Sequence, residues 1–353
     1  IRDTDRSRGL GDVYKRQVSD SPAGEILGET TKEYVFEACG EKLDMAQLQE
    51  IWEGKLEPVY PYRKAGPTVE KINGKLTAPA APKIGVAKPK VIIPVFPGTN
   101  CEYDTAKAFA RAGADPEILV IRNLTPADVT ASCEALVKAI GESQIVMLPG
   151  GFSGGDEPDG SAKFIASFFR SPAVTEAVRD LLQHRDGLML GICNGFQALI
   201  KLGLVPYGDI RPITAYDPTL TFNTIGRHQS MLVRTRVAST GSPWLSHCDA
   251  GSEYEIAISH GEGRFVAPQN VLDQLVANGQ VATQYVDLEG EPTMDQRYNP
   301  NGSLLAIEGI TSPDGRVFGK MGHSERTGSN LYKNVPSAYD LRIFQGAVRY
   351  FSL

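Results

Sequence analysis

Gly191-Ile192-Cys193-Asn194-Gly195-Phe196-Gln197 is the stretch whose reading decides the fold. Ahead of it, Gly187-Leu188-Met189-Leu190 is a short apolar run of the kind that forms a buried parallel strand. Behind it, Phe196-Gln197-Ala198-Leu199-Ile200-Lys201-Leu202 is apolar at helical spacing. Cys193 therefore falls on a sharp strand-to-helix turn, with a glycine two residues away on each side. That is the nucleophile-elbow pattern G-x-[nucleophile]-x-G, with cysteine in place of serine. A Cβ at either glycine would collide with neighbouring backbone. The helix N-terminus behind the sulfur favours the thiolate, the species that attacks. The alternative, a structural core cysteine, needs no flanking glycines.

Outward from the elbow, strand-like and helical segments alternate from Lys90 onward. Strands are expected at 91–96, 118–121 and 144–148, and helices at 105–112, 126–140, 162–169 and 174–183. After Gly203 the text turns β-rich, at 231–237, 255–259, 281–285, 304–309 and 316–321. The alternation implies right-handed crossovers and an α/β fold, an open, mostly parallel sheet flanked by helices with a β-rich C-terminal half. Pro94 argues against a central place for the first strand.

The 353 residues have room for one large or two modest domains, and 41% apolar content suffices for a core. A formal charge of −6 argues against a nucleic-acid binder. Cys39, Cys101, Cys133, Cys193 and Cys248 show no C-x-x-C spacing. That excludes a disulfide framework or zinc ribbon and suits a reducing compartment. No run approaches the roughly 18 apolar residues of a membrane span, and no signal-peptide pattern opens the chain. A cytoplasmic protein is expected.

Residues 1–17 lack apolar periodicity and an initiating methionine. They resemble translated adaptor sequence and are set aside, so the chain is expected to be the C-terminal part of a longer one. Within 18–62, residues 34–38 read as a strand and Asp44 as the cap of a helix reaching about residue 53. Gln47 takes the capping-box position, and Leu48, Ile51 and Trp52 share one face. So short a stretch needs a partner for that face. Residues 63–89, with Pro67, Pro79, Pro82 and Pro89, read as a semi-rigid linker, and 90–353 as the main domain.

A cysteine nucleophile needs a base that takes its proton and returns one to the leaving group. Histidine suits that role. His184 sits at a helix end, and His228 and His247 have no carboxylate at short spacing, so surface roles are expected for these three. His260-Gly261-Glu262 and His323-Ser324-Glu325 both read H-x-E. In an extended chain the glutamate then lies on the side of the imidazole it could orient. Residue chemistry barely separates the two pairs. His323 follows the strand-like 316–321, however, and such strand ends are where open α/β sheets gather site groups.

Pro149-Gly150-Gly151-Phe152 can bring backbone N–H groups to an oxyanion, together with the amide of Asn194, or be a plain glycine turn. Gln197, one helical turn after Cys193, can hold a substrate or face solvent. The glycine-rich 150–155 lacks a Gly-Lys-[Ser/Thr] ending, and Asp156, Glu157 and Asp159 would repel phosphate. No cofactor or metal is expected in this chain.

The heptapeptide resembles the nucleophile motif of class I, triad-type glutamine amidotransferases. LPGGFSGGD at 148–156, HGEG at 260–263, GITSPDGRV at 309–317 and GKMGHSER at 319–326 narrow the match. They are similar to the glutaminase domains of phosphoribosylformylglycinamidine synthases of the large fused type, over about 90–353. The resemblance implies a flavodoxin-like fold and hydrolysis of glutamine to glutamate and ammonia through a Cys193 thioester. It implies His323 and Glu325 as the rest of the triad, and Gly150, Gly151 and Asn194 at the oxyanion hole. It places His260 and Glu262 lining the site or facing a synthetase. Residues 18–62 would be the tail of that synthetase portion, the partner that takes up the ammonia. There ATP and magnesium would serve amidine formation from formylglycinamide ribonucleotide in purine synthesis. Many family members carry proline around the histidine; Gly322-His323-Ser324 departs from this and changes loop stiffness more than chemistry. A cysteine peptidase or related hydrolase of similar build, and a non-catalytic docking module, are the rival readings.

Overall fold

The computed structural model describes residue 28 and residues 31–59, 65–82, 85–153, 161–328, 331–332, 335 and 339–352. Residues 1–17 and the acidic run Asp156, Glu157 and Asp159 lie outside them. The chain divides into two compact units, Ile1–Arg63 and Lys64–Leu353.

In the first unit β1 (Val35–Ala38) and β2 (Glu41–Asp44) form an antiparallel hairpin. Its turn residues Cys39 and Gly40 both have positive φ, 55° and 83°, the pattern of a turn whose twist matches the strands. Asp44 then caps α1 (Met45–Gly54), its Oδ1 accepting from Ala46 N at 2.8 Å and Gln47 N at 3.2 Å. Such a cap is worth about 1 kcal/mol. The helix nonetheless buries no residue, and Trp52 is 80% exposed.

The second unit runs through β3 (Gly74–Lys75), β4 (Lys90–Val95), β5 (Asp115–Val120), β6 (Ile145–Leu148) and β7 (Leu188–Ile192). It continues with β8 (Thr219–Thr221), β9 (Gln229–Val237), β10 (Ser239–Thr240) and β11 (Glu253–His260). The last strands are β12 (Arg264–Val266), β13 (Val281–Val286), β14 (Ile307–Thr311) and β15 (Val317–Lys320). One nine-stranded sheet takes the order β11-β9-β13-β14-β15-β7-β6-β4-β5. From β15 to β5 every neighbour is parallel. Taken in chain order these five strands run 2-1-3-4-5, the flavodoxin-like arrangement. The β-rich half continues the same sheet, because β14, β13, β9 and β11 add to it antiparallel.

Helices α2 (Glu102–Ala112), α3 (Pro126–Glu142), α4 (Lys163–Phe169), α5 (Pro172–Gln183) and α6 (Asn194–Leu202) fall between or after the first parallel strands. Two more, α7 (Gln269–Ala277) and α8 (Ile343–Phe351), have no counterpart in the sequence reading. Leu188, Met189, Leu190 and Ile192 of β7 are wholly buried, as an apolar run covered on both faces should be.

Two expectations need correcting. Strand β4 is interior, between β6 and β5, despite Pro94. Its register with β6 covers only Val91 and Ile92, so the missing N–H of Pro94 interrupts no ladder on that side. The stretch expected to be a linker is in part a packed segment. β3 pairs with β10, Val69 N donates to Pro292 O at 2.8 Å, and Ile72 and Leu76 are buried. Its proline content hid two apolar residues that the sheet needed.

Candidate active site

Cys193 follows β7 and opens α6 with φ 52° and ψ −106°. That backbone conformation costs a non-glycine residue about 1–3 kcal/mol. The packing on either side of it is close. A Cβ on Gly195 would lie 1.9 Å from Leu148 O, and one on Gly191 would lie 2.5 Å from Gly195 O. Helix α6 is thus seated directly on the ends of β6 and β7. Cys193 N donates to Lys320 O of β15 at 2.9 Å, and Sγ lies 3.8 Å from Ser259 O.

Just past β15, His323 N donates to Ala257 O at 2.8 Å. Its Nδ1 lies 2.6 Å from Glu325 Oε1, and both side chains are buried. Burial alone would lower the imidazole pKa and raise that of the carboxyl. Their mutual attraction and hydrogen bonding outweigh it, so His323 is held well above its ordinary value and Glu325 below. Both shifts favour an imidazolium facing a carboxylate. Gly150 shows the convergence: a Cβ there would meet His323 Cε1 at 2.8 Å, Cys101 Sγ at 3.1 Å and Cys193 Cβ at 3.5 Å. Because β4, β6, β7 and β15 are parallel, their C-terminal ends bring glycine loop, thiol and imidazole to one spot.

The other H-x-E is built differently. The His260 ring packs on Gly263, and both ring nitrogens are buried without a partner among the described residues. Burial, with the nearby charge of His323, pushes its pKa down to about 3. Glu262 does not reach it; its Oε2 accepts from Ser161 N at 2.9 Å and Ser161 Oγ at 3.1 Å. Among the remaining histidines His184 is exposed beside Asp180, and His247 is half-buried. His228 is exposed too, with Nε2 3.0 Å from Ser259 Oγ, nearer the site than a plain surface role suggests.

Asn194 and Gln197 form the knot of a buried network. Asn194 Oδ1 accepts from Ser153 Oγ at 2.5 Å, and its Nδ2 donates to Gln197 Oε1 at 2.8 Å. Gln197 Oε1 also accepts from Ser161 Oγ, and its Nε2 donates to Glu262 O at 2.6 Å. The carboxamide expected to hold substrate or face solvent instead ties α6 to Ser161 and to the HGEG loop. Gly151, with φ 152°, bridges to Thr99, where a Cβ would fall 2.6 Å from Gly98 O.

Cys101 escaped the sequence reading. Its Sγ lies 3.9 Å from His323 Nδ1 and accepts from Arg326 Nη2 at 3.2 Å. The available signal was its position just past β4, at the same end of the sheet. Cys101, His323 and Glu325 also have metal-ligand chemistry within 4.8 Å of one another. Two ligands of one ion at bond lengths of about 2.0 Å would stand roughly 3.3 Å apart. The 2.6 Å between His323 and Glu325 is a hydrogen bond instead.

A thiol at a helix N-terminus, beside an imidazolium held by a carboxylate, can attack a carbonyl and deliver a proton to a leaving amine. Comparisons with known proteins place the chain in a family. A family profile described as a CobB/CobQ-like glutamine amidotransferase domain matches residues 88–351. The phosphoribosylformylglycinamidine synthase subunit PurQ of Methanococcus maripaludis is 32% identical over 288 residues, covering 75% of this chain and 98% of that protein. The PurQ subunit of Aquifex aeolicus is 34% identical over 244 residues, covering 69% and 92%. Among solved structures, PurLQS from Thermotoga maritima aligns with a TM-score of 0.52 at 25% identity, covering 75% of this chain and all of that one.

Proposed function

The chain belongs to the CobB/CobQ-like glutamine amidotransferase domain family, and on that premise we propose that it is the glutaminase part of a phosphoribosylformylglycinamidine synthase. Cys193 Sγ, as thiolate, attacks the side-chain carboxamide carbon of glutamine. The tetrahedral oxyanion is held by backbone N–H groups of Asn194 and the Gly150-Gly151 loop. The imidazolium of His323 gives its proton to the departing nitrogen, so ammonia leaves and a thioester remains. Water then attacks the thioester with His323 as base, which releases glutamate and restores the thiol. Glu325 holds the imidazole in orientation and stabilises its charged form.

Ammonia passes to a synthetase portion that binds ATP and magnesium and makes the amidine from formylglycinamide ribonucleotide. With it the protein is a carbon–nitrogen ligase using glutamine as amido-nitrogen donor; no cofactor is assigned to this chain. Residues 18–62 are the tail of that portion. The observation that carries this reading is the 2.6 Å His323–Glu325 pair delivered by β15 to the elbow cysteine on β7.

The test is Cys193→Ala, which should abolish the pre-steady-state burst of ammonia, the product released as the thioester forms, with circular dichroism unchanged. A glutamine-analogue electrophile should label Cys193 in the parent, as a non-catalytic docking module would not allow. Retained burst in Cys193→Ala, or peptide cleavage without free glutamine turnover, would sink the proposal.

A further inference from the structure

Lys320 ends β15 and Glu308 sits on the adjacent β14; both side chains are wholly buried, with Nζ 3.0 Å from Oε1. Taking two charges out of water is costly, and apolar residues of similar volume often serve stability as well. The pair's other bonds suggest a different reason for it. Glu308 Oε1 accepts from Gly322 N at 2.6 Å, and Lys320 Nζ donates to Gly322 O at 2.8 Å. The ion pair thus grips both polar backbone groups of the residue immediately before His323. Thr283 Oγ1 donates to Glu308 Oε2 at 2.5 Å, which fixes the carboxylate from β13.

Lys320 has a second hold. Its carbonyl accepts from the amide of Cys193 at 2.9 Å. One residue therefore holds the nucleophile through its backbone and the approach to the base through its ammonium. Gly322 has no side chain with which to anchor itself. A Cβ there would lie 3.0 Å from Glu308 Oε1, 3.1 Å from Lys320 Nζ and 2.6 Å from Ile256 Cγ2. Its absence is what lets the pair close on the backbone.

We propose that the Lys320–Glu308 ion pair is a positioning device for the hydrolytic chemistry, setting His323 in register with Cys193 through the backbone of Gly322. Neither side chain touches reacting atoms. The inference rests on the glutaminase reading above.

The experiment uses the Lys320→Met/Glu308→Gln double variant of the full chain. It removes both charges at nearly constant volume, so no lone charge is left buried. The readouts are the ammonia burst, the steady-state KM and the rate of Cys193 alkylation by iodoacetamide across pH. A folded double variant should show a burst slowed about tenfold or more, because sub-ångström misplacement is expensive in rate. KM should stay within about threefold. The acid limb of the alkylation profile should move to higher pH as the thiolate loses its imidazolium neighbour. A folded double variant with burst and alkylation profile matching the parent would overturn the proposal. If the double variant does not fold, Thr283→Val carries the test through loss of a single bond to Glu308. Its burst should fall about threefold with KM kept, and an unchanged burst there also overturns the proposal. A parent that forms neither ammonia nor glutamate from glutamine refutes the glutaminase reading instead, while the alkylation profiles still decide the positioning.

Discussion

A carboxylate 2.6 Å away raises the pKa of His323 inside a site where burial works against any charge. Glu325→Gln keeps a hydrogen-bond acceptor and removes that charge, so the imidazole pKa should fall. At neutral pH the cationic partner of the thiolate is then lost, and the ammonia burst should drop by roughly one to two orders of magnitude, less than in Cys193→Ala. Stability should change with a definite sign. The folded pKa of His323 is raised and that of Glu325 lowered, so the pair stabilises the fold most between about pH 4.5 and 6.5. That contribution disappears as pH rises through the folded pKa of His323. Urea melts of parent and variant should therefore differ more at pH 6 than at pH 9.5; an equal difference at both would contradict the assignment. At this scale the sequence was informative about which atoms matter and poor about which are occupied. Two H-x-E pairs look alike as text, yet Glu262 is taken by Ser161 and Glu325 is not. That distinction depends on residues a hundred positions away, beyond the reach of spacing. Cys101 offered only its place just past β4, with nothing in its neighbours to pair it with His323, 222 positions on.

Strand β7, the elbow and α6 form a unit whose glycines are set by contact. Gly195→Ala would place a methyl 1.9 Å from Leu148 O, a backbone atom of a buried strand. The helix must then lift from β6, and the expected cost is about 3 kcal/mol or more. Thermal melts should show it, together with a lost burst; a parent-like melting temperature would mean that α6 is less tightly seated than described. This unit was fully legible, because a buried strand and an amphipathic helix leave opposite periodicities on either side of one residue. The antiparallel extension was legible as strands and not as part of the same sheet. Nothing local in 229–237 or 253–260 says which edge it joins. Helix α8 carries its own pattern, with Ile343, Phe344, Ala347 and Phe351 buried, yet Arg342 before it makes no side-chain cap bond to mark its start. Residues 67–76 mislead by composition, since Pro67 and Gly66 lie next to segments that dock backbone to backbone with Pro292 and Met294.

Across the whole molecule the compact unit that begins at Lys64 contains every element of the site. Deleting residues 1–63 should leave its melting temperature within about 3 °C of the parent, and should reduce binding of a hydrophobic dye. The removed part displays Phe36, Ile51, Trp52, Leu56 and Val59 more than half exposed. A collapse of thermal stability on deletion would show that the two units depend on one another. Within the larger unit, β15 lies between β7 and β14 although 125 residues separate Ile192 from Val317. On a ribosome this ordering becomes a schedule. At roughly 5–20 residues per second, the strand that completes the centre of the sheet appears some 6–25 s after the elbow has been made. Until then β7 is an open, wholly apolar edge, the kind of surface on which nascent chains stick to one another. His323 follows that strand, so a nascent chain carries the elbow cysteine for some time before the imidazole that packs against the same Gly150 exists.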